Sequence, residues 1–295
     1  MRSVQTPEGL FIYDRETGLC LHAPEVRSKV WLKPLYAQVA LTNRCNLRCW
    51  WCYASSSPSE EAELSLGDLK GLISFLDRWG LLGVAFGGGE PFLHPRLADV
   101  VRWTWRNTGL DISVTTNGSA ASERQIGKIE GFAGEVRVSI YEPESCRVLK
   151  KFLRRRFDLG VNVLLTRGAA PRLEKIIATC LRMGVDDFLV NSFRPVGRGA
   201  KHPEMEPTGY DFAQFLTVLE KYGGEALFKV SGRLAEALKG FGKLEFIPFD
   251  GEAKGRIIAI TADRKVKPSS LSEEGYSFRS PEEIPEIYRC LMRTP

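Results

Sequence analysis

Apolar and polar positions fall into a strand–helix alternation that starts near residue 36. Tyr36-Ala-Gln-Val-Ala-Leu41 has the length and composition of a strand. Leu66, Leu69, Leu72, Ile73, Leu76 and Trp79 then recur at helical spacing, with Ser65 as N-cap and Gly80 as stop. Leu82–Phe86 is the next strand, and Pro95 opens a helix through Leu97, Val100, Val101, Trp103 and Trp105. The pattern goes on with a strand at Leu110–Val114, a helix over 121–130, a strand at Val136–Ile140 and a helix over 144–158. It closes with a strand at Val161–Leu165, a helix over 171–183 and a strand at Asp187–Asn191. Six strands alternating with helices predict an α/β fold whose parallel sheet curls into a partial (β/α)6 TIM-like barrel, open on one side.

Pro195-Val-Gly-Arg-Gly199, then Pro203 and Pro207, punctuate the end of that run. Beyond it, 208–222 reads as a helix, Ile257 to Val266 as a hairpin and 281–292 as a terminal helix. Before it, two apolar runs flank a polar stretch ending in Gly18. The expected organisation is a hairpin-like extension (1–35), the barrel (36–200) and a small α+β C-terminal module (201–295).

Composition changes this picture little. The 295 residues suit one barrel-sized domain with an appendage, and 43% apolar with 26% charged residues is ordinary for a globular protein. No run of eighteen apolar residues occurs, and Met1–Leu10 is polar, so neither a membrane span nor a secretory signal is expected; the expected location is the cytoplasm. A net charge of +5 is too mild to point to nucleic acid. The densest basic run is Lys150, Lys151, Arg154, Arg155 and Arg156, interleaved with Leu149, Phe152, Leu153 and Phe157. It reads as the solvated face of an amphipathic helix, with a docking surface for an acidic peptide or nucleic acid as the alternative.

The candidate chemistry lies in the cysteines. Of seven, three fall in Cys45-Asn-Leu-Arg-Cys49-Trp-Trp-Cys52, directly after the first barrel strand, where parallel α/β folds place their sites. An odd total without a secretion signal argues against a disulfide framework, and Cys146 and Cys180 read as core residues. Three thiolates can hold three irons of a [4Fe–4S] cluster, which leaves one iron open to a cofactor or substrate. A zinc site wants a fourth ligand, and the nearest histidines are His22 and His94.

The C-x3-C-x2-C loop resembles the hallmark of the radical SAM superfamily. The aromatic residue before its last cysteine, Trp51, fits that pattern, as does Gly87-Gly-Gly-Glu90-Pro91 after the second strand. Thr115-Thr-Asn117-Gly118 and Ser139 lie where the family has a Thr-Asn-Gly segment and a strand serine; Tyr141 and Glu142 stand where Asp-Gly often follows that serine. The resemblance implies that Cys45, Cys49 and Cys52 bind one [4Fe–4S] cluster. It also implies that Trp51, Gly88, Gly89, Glu90, Asn117 and Ser139 contact S-adenosylmethionine, Glu90 through its amino group. His94 reads as structural.

Gly255 through Pro268 resembles a SPASM or twitch module, which in relatives follows a Pro-x-Gly-Arg segment like Pro195–Arg198. Glu252 and Ser269 stand where cluster cysteines are expected, and Cys290 alone remains, so the module is expected to keep the fold without an auxiliary cluster. The resemblance implies reductive cleavage of S-adenosylmethionine to a 5′-deoxyadenosyl radical, with a flavodoxin or ferredoxin as reductant. A peptide or protein substrate leads; a small molecule such as a tetrapyrrole or cofactor precursor is the alternative. A non-catalytic iron–sulfur or zinc protein is the reading of another class. No catalytic residue for the substrate radical is identified.

Overall fold

The computed structural model describes residues 2–6, 9–15, 20–24, 33–231, 234–235, 247–249 and 255–293. Strands β1 (Arg2–Thr6), β2 (Gly9–Tyr13) and β3 (Cys20–Pro24) pair antiparallel as a small N-terminal sheet, whose β2–β3 half is the expected hairpin. Val4 and Tyr13 bury against Leu35 and Leu82, which seats this sheet on the barrel.

The barrel follows as β4 (Tyr36–Thr42), α1 (Leu66–Trp79), β5 (Gly83–Gly88), α2 (Leu97–Asn107), β6 (Asp111–Thr116), α3 (Glu123–Ile129) and β7 (Glu135–Ser139). It continues with β8 (Asp158–Leu165), α4 (Ala170–Arg182) and β9 (Asp187–Ser192). Each strand pairs in parallel with the next. Local signals explain the boundaries. Ser65 Oγ accepts from the Asp68 N–H at 3.1 Å and caps α1. Gly80 ends α1 at φ +89°, its N–H donating to the Leu76 and Asp77 carbonyls. Gly80→Ala forces a side chain into that left-handed turn, and the urea midpoint is expected to fall by the equivalent of about 1 kcal/mol at unchanged m-value.

The two faces of the sheet differ. On β4, Ala37, Val39 and Leu41 are buried beneath the helices, while Tyr36, Gln38 and Ala40 are half-buried on the barrel lining. Register carries the lining across Ala85, Ser113, Arg137, Ser139 and Asn162, so it is largely polar. Near the N-terminal ends of the strands, buried Arg137 donates to Asn162 Oδ1 (2.8 Å), Glu135 Oε1 (2.6 Å) and Asp187 Oδ1 (3.0 Å). Charges are paired at this end of the barrel.

Two features depart from the expected pattern. Residues 144–158 do not form an α-helix. Pro143–Lys151 is a 3-10 run, Arg154 takes φ +57°, and β8 starts at Asp158 rather than at Val161. The buried residues Cys146, Leu149 and Phe152 recur every third position, which is the 3-10 period. The basic run is therefore not one helix face: Lys151 donates to the Gly118 and Ala121 carbonyls at 3.3 and 2.9 Å, and Arg155 pairs with Glu130 at 3.4 Å.

The second departure is that the sheet does not end at residue 200. Helix α5 (Gly209–Tyr222) and β10 (Leu227–Ser231) add a further unit parallel to β9, and β11 (Ile247–Phe249) pairs parallel with β10. In β10 only Phe228 and Val230 are buried apolar side chains, too short an alternation to stand out in sequence. The chain then returns to the opposite edge. There β12 (Ile257–Ile260) pairs parallel with β4, and β13 (Lys265–Lys267) and β14 (Tyr276–Ser277) continue antiparallel. Helix α6 (Ile284–Arg293) follows, and Tyr288 donates to the Gly255 carbonyl at 2.8 Å. Among the described residues, β11 and β14 are the edges of an eleven-stranded sheet, so the barrel stays open. Glu252 lies outside the described residues.

Candidate functional site

The loops at the C-terminal ends of β4, β5, β6 and β9 bond to one another at one end of the barrel. The loop after β4 holds Cys45, Cys49 and Cys52, all half-buried and unbridged. It is irregular but tied down: Asn43 N–H donates to the Ala62 carbonyl at 2.8 Å, and Cys45 N–H to the Ser57 carbonyl at 3.0 Å. Burial pushes the Cys49 thiol up to about 11, with added repulsion from Cys52 and Cys45, so the three sulfurs share one electrostatic environment. Burial also raises the Cys45 thiol. Among the described residues no three His, Cys, Asp or Glu side chains converge tightly enough for a single metal ion. Three thiolates can each bind a separate iron of a cluster, whereas a structural zinc site takes four ligands, so the donor set fits an iron–sulfur cluster.

The glycines after β5 let this segment pack on the cysteine loop. Gly88 has φ +113°, and a Cβ there would sit 2.5 Å from the Thr42 carbonyl oxygen; at Gly89 a Cβ would collide with the Arg44 carbonyl. Gly89 N–H donates to Thr42 at 2.7 Å and Glu90 N–H to Arg44 at 2.9 Å.

Glu90 is fully buried and turned inward. Its Oε1 accepts from Thr116 Oγ1 (2.6 Å) and Phe92 N–H (3.1 Å), and its Oε2 from Asn117 N–H (2.8 Å). Burial raises the carboxyl above its ordinary range, and these hydrogen bonds oppose that rise. Glu90 thus ties the β5 loop to the β6 loop, leaving Oε2 with one protein donor.

Asn117 reaches the cysteine loop directly. Its Nδ2 donates to Asn46 Oδ1 at 3.0 Å and lies 3.9 Å from Cys45 Sγ. Trp51 packs its ring 4.9 Å from Tyr141 and 5.2 Å from Trp50. The Tyr141 phenol is pushed up to about 12 by burial, against hydrogen bonds with Ser139 and Trp51, so these three residues form one wall. His94 is buried, with Nε2 2.9 Å from the Leu64 carbonyl and Nδ1 accepting from Arg96 N–H at 3.1 Å, a structural role. Cys146 and Cys180 are buried in the core, as expected.

Two residues of this cluster were not singled out in sequence. Thr116 is the nearest donor to Glu90, and Arg198 bonds to the cysteine loop. The Pro-x-Gly-Arg segment was the only signal for Arg198, read above as a boundary mark.

The family model described as the Radical SAM superfamily matches residues 39–208. A GTP 3′,8-cyclase from Chlorobaculum tepidum is 27% identical over 207 residues, covering 68% of this chain and 61% of the cyclase. Mycofactocin maturase MftC from Mycolicibacterium smegmatis is 27% identical over 223 residues, covering 68% of this chain and 56% of the maturase. The chain thus spans less than two thirds of the length of these two relatives. Streptococcus suis SuiB bound to precursor peptide SuiA superposes with a TM-score of 0.71 at 15% identity, covering 90% of this chain and 66% of SuiB. That likeness concerns the fold.

Proposed function

Since the chain belongs to the radical SAM superfamily, we propose that Cys45, Cys49 and Cys52 hold its [4Fe–4S] cluster and that the surrounding loops seat S-adenosylmethionine. Held by these three cysteines, the cluster would supply the electron for reductive cleavage of the cofactor's carbon–sulfur bond. The observation that carries the reading is the joining of three half-buried thiols to the glycine segment and to Asn117.

Each contact residue has a task in this reading. Gly88 and Gly89 let their segment pack against the cysteine loop beside the cofactor, and Glu90, buried beneath, holds that segment and the Asn117 backbone where the amino group would bind. Asn117 holds the Cys45 side of the loop in place, and Trp51 with Ser139 borders the nucleoside end. The polar barrel lining orients the substrate, and the enclosing barrel walls keep bulk water from the reacting atoms.

A peptide is the proposed substrate. The similarity to a maturase and the shared fold with SuiB, crystallised with its precursor peptide, support this. The similarity to a GTP cyclase favours a small-molecule substrate as the second reading. Anaerobic incubation with S-adenosylmethionine and a reductant decides between them. A short peptide encoded beside the gene should change mass. Consumption of GTP with the peptide unchanged would replace the first reading with the second.

Of the C-terminal module expected over 201–295, the α5–β10 unit joins the barrel sheet, and residues 255–293 are proposed to form the degenerate SPASM/twitch-like part. Support comes from the β12–β13 hairpin, and from Ser269 where a thiolate is needed. Reconstitution should then load about four irons per chain and no more; a clear excess would refute the loss of the second cluster. No helix among the described residues is long and apolar enough to cross a membrane. A cytoplasmic location and a flavodoxin or ferredoxin reductant complete the proposal.

A further inference from the structure

The cysteine loop is held from across the barrel by a residue far away in sequence. Arg198, 149 positions beyond Cys49, lies in the turn that follows β9. Its Nε donates to the Cys49 carbonyl at 2.9 Å, Nη1 to Ser55 at 2.7 Å and Nη2 to Ser56 at 2.6 Å. Its backbone N–H donates to the Cys52 carbonyl at 3.0 Å. One residue therefore grips the loop at both later cysteines and at the exit that follows them.

The turn is shaped for this contact. Gly197 has φ +58°, and a Cβ there would collide with the Tyr53 carbonyl. Only glycine lets the two backbones meet and brings the Arg198 N–H to Cys52. On the same side, Trp50 of the loop packs 5.3 Å from Phe193 and 5.0 Å from His202, which flank the turn. Among the described residues, no carboxylate forms an ion pair with Arg198. Three carbonyl oxygens accept from its guanidinium, which holds a positive charge fixed beside the loop.

We propose that Arg198 is a positioning residue: it locks the cysteine loop in its binding geometry, and its charge eases electron uptake by the centre the loop carries. This rests on the reading that the three cysteines bind the cluster. The planar guanidinium matches three separate carbonyls, which a lysine ammonium cannot do from one point. A fixed positive charge favours the more negative, reduced form of a nearby centre, and net charge and hydrogen bonding set iron–sulfur potentials. The two roles can therefore be separated by substitution.

Wild type, Arg198→Lys and Arg198→Gln are reconstituted anaerobically and titrated potentiometrically, with the reduced cluster followed by its EPR signal. Iron release to a chelator is timed in parallel. Arg198→Gln should show a more negative midpoint potential and iron release roughly tenfold faster or more, the equivalent of losing one charge-assisted hydrogen bond. Arg198→Lys should keep a near-native potential yet still release iron faster. A wild-type potential in Arg198→Gln overturns the electrostatic role, and wild-type release in Arg198→Lys overturns the clamp.

The clamp is also tested without iron. In the apo-protein, Cys49 and Cys52 should be alkylated faster in Arg198→Lys than in wild type, and equal rates overturn it even if Arg198→Gln fails to fold. Failure of the cluster reading is distinct, because wild type itself would then bind no iron.

Discussion

Serine at any one of positions 45, 49 or 52 is expected to abolish release of 5′-deoxyadenosine and to reduce bound iron from about four per chain to less than about one. The thiolate is the soft, charged ligand that iron requires, and a serine hydroxyl is neither soft nor ionised near neutral pH. The loop offers no substitute. Asn46, Leu47, Arg48, Trp50 and Trp51, the other residues between Cys45 and Cys52, carry no thiol, imidazole or carboxylate. Cys290→Ser is the contrasting case. Cys290 is exposed on α6, in the C-terminal segment read as having no cluster, so this variant should keep both iron and cleavage. Iron analysis with product chromatography checks both statements. A Cys49→Ser protein that retains iron and activity would show that the ligands lie elsewhere.

The second large effect is expected at Glu90. Three donors converge on its carboxylate in a site without solvent: Thr116 Oγ1, Phe92 N–H and Asn117 N–H. Glu90→Gln puts an NH2 group against at least one of them and removes the charge that strengthens all three. Hydrogen bonds to charged groups contribute about 1.5–3 kcal/mol each, so a loss of about 2–4 kcal/mol is expected for Glu90→Gln, and more for Glu90→Ala. The same change should weaken S-adenosylmethionine binding by at least about tenfold, because Glu90 fixes the glycine segment and the Asn117 backbone together. Thr116→Val should lose only about 1 kcal/mol, since the two backbone donors remain. Urea denaturation and calorimetric titration of the cofactor measure these effects. An unchanged urea midpoint in Glu90→Gln would mean that the buried tie does not bear on stability.

These two sites differ in how far the sequence alone displays them. The cysteine triplet is a local pattern, and so are the Ser65 cap and the Gly80 stop; each is set by residues a few positions apart. The inward turn of Glu90 is not local. It depends on Thr116, 26 positions away, and on the register that brings the ends of β5 and β6 together. Arg198 is more distant still, and nothing in Pro195–Gly199 by itself distinguishes a clamp from a turn. The 3-10 run at Pro143–Lys151 resembles an α-helix in sequence because apolar residues spaced by three and four look alike over so short a stretch. β10 does not stand out in sequence because its lining face carries Lys229 and Ser231, polar residues that a barrel interior accommodates and that break a simple apolar pattern.

The roles assigned to these loops depend on one reaction. The anaerobically reconstituted wild-type protein, reduced and mixed with S-adenosylmethionine, should release 5′-deoxyadenosine and methionine in equal amounts. No release from a protein that carries its full complement of iron would contradict the account.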